Sequence, residues 1–165
     1  MSLKSKILTF LFSRLSIELA AIYKSDFTIF LIKRVNGIQL SCEQIKIISR
    51  IIKNTKPSNL LVFGVGHDSE FWYKINKGGL TIFLEDNKNW LEKITRKSKG
   101  IKVFHVNYNS KRKDWKTFLE SPSLLKMNLP DEVQNQKWDI ILVDGPAAFN
   151  DQKPGRMKSI FLSSM

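Results

Sequence analysis

The sequence predicts an α/β domain built on a short parallel sheet with helices on both faces. Four short apolar runs recur at residues 60–63, 80–84, 101–105 and 138–143. Stretches with the three-and-four spacing of amphipathic helices separate them. Near-continuous apolar strands that alternate with helices belong to parallel sheets covered on both sides.

The elements follow in chain order. Residues 3–23 place Leu8, Leu11, Phe12, Leu15, Leu19 and Ile22 on one helical stripe, with Lys4, Lys6 and Arg14 around it. Such a helix either packs on the domain or lies on an anionic membrane surface. This arm, residues 1–40, precedes the main domain, residues 41–165. Residues 27–32 read as a strand or as the end of the helical arm, closed by Asn36-Gly37. Ser41 and Gln44 have capping-box spacing, and Ile45, Ile48, Ile51 and Ile52 form one apolar face up to Lys56-Pro57. Helices are then expected at 69–76, 87–97 and 114–125, between the strands, with a proline-marked loop before the last strand. If the strand order is 3-2-1-4, the fourth strand is an edge that can pair with a second copy of the chain.

Composition narrows the chemistry. The 165 residues include 27 basic and 15 acidic side chains, a net charge of +12, and 42% are hydrophobic, so one ordered basic domain is expected. One cysteine and two histidines exclude a disulfide framework and a Cys- or His-based metal cluster. The most apolar N-terminal stretch is interrupted by Arg14 and Glu18 and is shorter than the roughly 20 residues of a spanning helix, so a soluble cytoplasmic chain is expected rather than an anchored one.

The candidate site gathers at the strand ends. The first strand runs into Phe63-Gly64-Val65-Gly66-His67-Asp68-Ser69, a Gly-x-Gly bend before a helix. The second ends in Glu85-Asp86, with Glu85 21 positions after Gly64, the separation at which one strand-helix-strand unit brings a carboxylate to ribose hydroxyls. Ser69 stands where a dinucleotide fingerprint has its third glycine, which points to a nucleoside rather than a pyrophosphate. The fourth strand ends in Asp144-Gly145-Pro146. Phe63, Gly64, Gly66, Glu85, Asp86 and Asp144 are therefore the expected cofactor-binding residues, and no metal ligands are expected.

Asp144, Asp151 and His67 are the candidates for handling a proton, and Arg156 for clamping a substrate carboxylate through its two-donor fork. Plain alternatives stand beside them: a turn-shaping or helix-capping His67, a loop-shaping Asp144 and a surface Arg156, while Asp68 reads as an N-cap. His105 reads as structural, Tyr108 as an adenine-stacking or rim aromatic, and Trp72, Trp90, Trp115 and Trp138 as packing residues.

Four stretches carry a resemblance: Leu61-Val62-Phe63-Gly64-Val65-Gly66-His67-Asp68-Ser69, Phe83-Leu84-Glu85-Asp86, Trp138-Asp139-Ile140-Ile141-Leu142-Val143-Asp144 and Pro154-Gly155-Arg156-Met157. From about Ser41 onward the chain resembles the plant glucuronoxylan 4-O-methyltransferase and irregular-xylem family of xylan biosynthesis. The resemblance implies a Rossmann-like class I methyltransferase fold, S-adenosylmethionine as cofactor, and methylation of a hydroxyl on an acidic sugar or polysaccharide. It departs at Asn150, where the family carries a histidine, and it ends before the C-terminal strands of the usual sheet. The competing expectation is a non-catalytic or degenerate protein of the same fold that binds polyanions, polysaccharide before nucleic acid, through its positive charge.

Overall fold

A computed structural model describes residues 26–98 and 100–165. The expected amphipathic helix of residues 3–23, with any membrane contact it makes, lies outside the described residues. The chain divides into two compact units, Met1–Pro57 with Gly66–Gly79, and Ser58–Val65 with Leu80–Met165.

In the first unit the described part is helical. Residues left open between strand and helix form α1, Asp26–Asn36. Gly37 takes φ +70° after it, and Ile38 N–H donates to Lys33 O at 3.1 Å, the long bond of a glycine-terminated helix. Helix α2, Cys42–Thr55, begins with the expected capping box: Ser41 Oγ accepts from Gln44 N, and Gln44 Oε1 accepts from Ser41 N. Its buried residues are Ile45, Ser49 and Ile52, whereas Ile51 is 49% exposed, because it falls outside the seven-residue stripe that these three define. Helix α3 is Ser69–Ile75.

The second unit holds a four-stranded parallel sheet of β1 Leu60–Phe63, β2 Thr81–Glu85, β3 Lys102–His105 and β4 Ile140–Val143. The order is β3-β2-β1-β4, as expected, with β3 and β4 at the two edges among the described residues. Register aligns Leu61 with Ile82 and Ile141, and Phe63 with Leu84 and Val143. These side chains share one sheet face and join Val106, Tyr108 and Val133 in a core packed by Trp138, Met127 and Leu162. Every residue of β1 and β2 is buried. By the apolar-area rule, burying each such Leu, Ile or Phe stabilises by roughly 1.5–3 kcal/mol before entropy is charged.

Connections differ more from expectation than strands do. Helix α4, Lys88–Lys97, is capped by Asn87 Oδ1 accepting from Trp90 N. The long helix expected over 114–125 is instead a 3-10 turn Arg112–Asp114, helix α5 Trp115–Glu120 and a second 3-10 turn Pro122–Leu125. Pro122 cannot donate into a continuing helix and drives Ser121 out of helical geometry, at φ −136° and ψ 76°. Two short helices have no counterpart in the sequence reading, α6 Asp131–Gln134 and α7 Met157–Ser163. Among the described residues no helix is long and apolar enough to cross a membrane.

Candidate active site

The C-terminal ends of β1 and β4 meet through their backbones. Gly64 N–H donates to Leu84 O at 2.7 Å, while Phe63 O accepts from both Asp144 N and Gly145 N. Gly64 has φ +107°, a conformation that side chains rarely adopt. Its glycine is required by Gly145, whose backbone N would lie 2.9 Å from a Cβ placed there. Phe63 itself is fully buried and offers a ligand no surface; it is the post to which the other loop is tied.

Glu85 then closes the bend. Its Oε2 accepts from Val65 N at 3.0 Å and its Oε1 from Asn87 N at 2.8 Å. Trp90 Nε1 donates to Val65 O at 2.7 Å, fixing the same residue from the other side. Glu85 is only 8% exposed, and burial pushes its carboxyl above the usual range despite the backbone donors that oppose the shift. Both its oxygens are thus engaged in holding two loops together.

Asp86 is the neighbouring carboxylate that faces open space. It lines a cleft of about 690 Å³ with His105, Asn107, Tyr108, Lys111 and Lys113 among its walls. Partial burial raises its carboxyl, with His105 and Lys153 pulling the other way. His105, read as structural, does hold a turn: its Nε2 lies 3.1 Å from Asp86 O. Tyr108 lines the cleft but is held almost wholly inside the protein. It is 1% exposed, its hydroxyl lies 3.3 Å from Ser159 Oγ, and burial pushes its pKa up to about 12. Ser159 Oγ also reaches Gly145 O at 3.2 Å, so α7 braces the β4 loop from below.

Asp144 is 53% exposed at the tip of β4, and Arg156 sits over it, with Nη2 2.5 Å from Asp144 O and 3.9 Å from Oδ1. Asp151 accepts a forked pair from Arg112, Nε at 3.1 Å and Nη2 at 2.7 Å. Arg112 N–H also donates to Lys153 O and Ser110 Oγ to Pro154 O, which knits the Asp151 loop to the chain after β3.

Gly66 and His67 lie in the first unit. Gly66 N–H donates to Ser69 Oγ at 2.8 Å, so the serine in place of a third glycine closes its own turn. Asp68 makes no side-chain cap; Oδ2 accepts from Trp72 Nε1 at 2.9 Å instead. His67 is exposed. Trp72 is buried and Trp138 packs on the core, but Trp115 is 49% exposed, against the packing role expected for it, because Phe118 takes the inward side of the short α5.

The amides of Gly64, Val65 and Gly66 all have acceptors within the protein, so the bend is no anion cradle. A carboxylate at a strand tip beside an open cleft of this volume suits a ligand rich in hydroxyls, such as a nucleoside. Asn107 and Ser159 were not singled out from sequence, and Arg112 stood there only within the basic run Lys111-Arg112-Lys113, a solvated face or an attractor of polyanions.

The family model described as IRX15/IRX15L/GXM matches residues 43–124 and 120–165. The chain is 34% identical over 143 residues to glucuronoxylan 4-O-methyltransferase 1 of Arabidopsis thaliana, covering 77% of this chain and 51% of that protein. It is 32% identical to glucuronoxylan 4-O-methyltransferase 2 of the same plant, covering 77% and 49%. It is 33% identical over 147 residues to arabinogalactan O-methyltransferase 2, again from Arabidopsis thaliana, covering 77% and 50%. The chain spans about half the length of these relatives. No solved structure matches it.

Proposed function

The chain belongs to the IRX15/IRX15L/GXM family, and from that premise we propose that it carries the donor site of an S-adenosylmethionine-dependent O-methyltransferase acting on an acidic polysaccharide. The observation that carries the proposal is Asp86 facing the cleft while Glu85 is consumed in shaping the bend beside it. Asp86 would hold the ribose hydroxyls, with Asn107 lining the same cleft. The bound cofactor supplies an electrophilic methyl group on a sulfonium centre, whose positive charge is complemented by carboxylates.

The protein's own part is alignment and proton removal. Asp144 and Asp151 are the proposed acceptors for the hydroxyl proton, each at the C-terminal rim of the sheet unit. Arg156 anchors one donor on Asp144 O and keeps the others for an acceptor carboxylate.

Isothermal titration with S-adenosylhomocysteine tests the donor site. The wild-type chain is expected to bind, and Asp86→Ala to bind at least about tenfold more weakly, a loss of roughly 1.4 kcal/mol. A wild-type chain that evolves no heat and shows no exchange protection around residues 64–86 would overturn the reading. Transfer of labelled methyl to glucuronoxylan, with RNA as the control polyanion, tests the acceptor class.

A further inference from the structure

The segment that follows β3 divides its side chains between two cavities. Lys111, Lys113 and Asp114 line the cleft that holds Asp86. Arg112, Lys113 and Trp115, with Asp151 and Met157, line a second pocket of about 540 Å³. Lys113 is common to both walls.

The second pocket combines two features. Its first is a half-exposed indole, Trp115, at 49% exposure, on a helix whose inward position is taken by Phe118. A large aromatic half in water at the wall of a pocket offers a partner an apolar face to pack on. The second is an uncommitted cation. Arg112 is fixed by Asp151 and by Ala148 O, but among the described residues no carboxylate pairs with Lys113, which is exposed. Lys116 Nζ, 5.6 Å from the Trp115 ring centre, adds to the positive field.

A pyranose ring carries C–H bonds with partial positive charge on one face, which pack against the negative face of an indole. A uronic acid adds a carboxylate at the ring edge, which a lysine beside the indole meets. We propose that this pocket is the acceptor subsite, in which Trp115 stacks on a sugar ring of a uronate-bearing glycan and Lys113 meets its carboxylate. The shared Lys113 wall sets that sugar next to the donor cleft. The assignment rests on the methyltransferase reading above and adds Trp115 and Lys113 to Arg156 as residues that recognise the acceptor.

Binding of acidic and neutral xylo-oligosaccharides to the full chain tests it, with S-adenosylhomocysteine titrated in parallel. Trp115→Ala is expected to weaken acidic oligosaccharide binding about tenfold or more, and Trp115→Phe to restore most of it. Nucleoside affinity in Trp115→Ala should stay within about twofold, a change of under 1 kcal/mol. Lys113→Gln, a change at an exposed lysine, should lower affinity for the acidic oligosaccharide and leave that for the neutral one unchanged. It carries the test if the alanine variant does not fold. Acidic oligosaccharide binding untouched by either substitution, or absent in a chain that still binds the nucleoside, sinks the subsite alone. Absence of nucleoside binding sinks the donor reading instead.

Discussion

Gly64 and Gly145 are packed backbone on backbone, so that a Cβ on Gly64 would lie 2.9 Å from Gly145 N and a Cβ on Gly145 would lie 2.8 Å from Gly64 Cα. The contact joins the tips of two neighbouring strands that are far apart in sequence, and it positions Asp144 beside the bend after β1. Alanine at either position must push the strand tips apart. Each variant is expected to lose about 1–3 kcal/mol by urea denaturation. Gly64→Ala should lose more, since its φ of +107° strains any side chain.

Glu85 supplies a second prediction, with a defined sign in pH. Burial raises its carboxyl pKa in the folded chain above the ordinary value of 4.5. A raised folded pKa contributes stability that is present below the unfolded value and is lost as pH rises through the folded one. The stability advantage of wild type over Glu85→Gln should therefore be largest near pH 4 and shrink toward neutrality. Paired urea titrations at several pH values measure it, and an advantage that grows with pH would show that the backbone donors outweigh burial. Glu85→Ala at neutral pH strips the acceptor from the buried Val65 N–H and should cost about 1–3 kcal/mol.

Tyr108 should stay a phenol well into alkali. With its folded pKa pushed to about 12, ultraviolet titration of the native chain should show one tyrosine ionising late. Its contribution to stability is present below the unfolded value near 10 and declines as pH climbs toward 12. Tyr108→Phe removes the contact with Ser159 and should cost about 0.5–1.5 kcal/mol, a loss that disappears at high pH if the shift arises as described.

The Arg112–Asp151 fork should matter more for order than for stability. Its partners are 48% and 65% exposed, and solvent screens such pairs, so Asp151→Asn should change unfolding free energy by less than about 1 kcal/mol. The fork nevertheless joins the loop containing Ala148 and Lys153 to the turn after β3. Amide exchange at Arg112, Lys113 and Gly155 should therefore speed up in the variant, while exchange in β1 and β2 stays unchanged.

Much of the sheet unit is legible locally. The apolar runs for β1 and β2, the Asn87 helix start, and the acidic pair that begins 21 positions after Gly64 are patterns within short windows, as is the Ser41 capping box in the first unit. The resemblance carried by four motifs agrees with the family to which the chain belongs. The broken helix over 112–125 is harder to read, since one proline decides it against an otherwise helical spacing. Helix α7 leaves little trace, because its seven residues present too few turns for a periodicity to show.

Division of labour within the site lies beyond such windows. Sequence placed Glu85 and Asp86 together at a strand end, but Val65, 20 residues away, takes the first for the scaffold and leaves the second to the cleft. Trp115 is read as core from its composition, yet stands half in water. Ser159 gains its role from Tyr108, 51 positions earlier. Hydrophobic period and capping chemistry act between neighbours along the chain, so the sequence by itself determined strands, order of elements and family. Whether a polar atom is satisfied or left open to a ligand depends on partners that only the folded chain brings within hydrogen-bond reach, and that the tertiary structure decided.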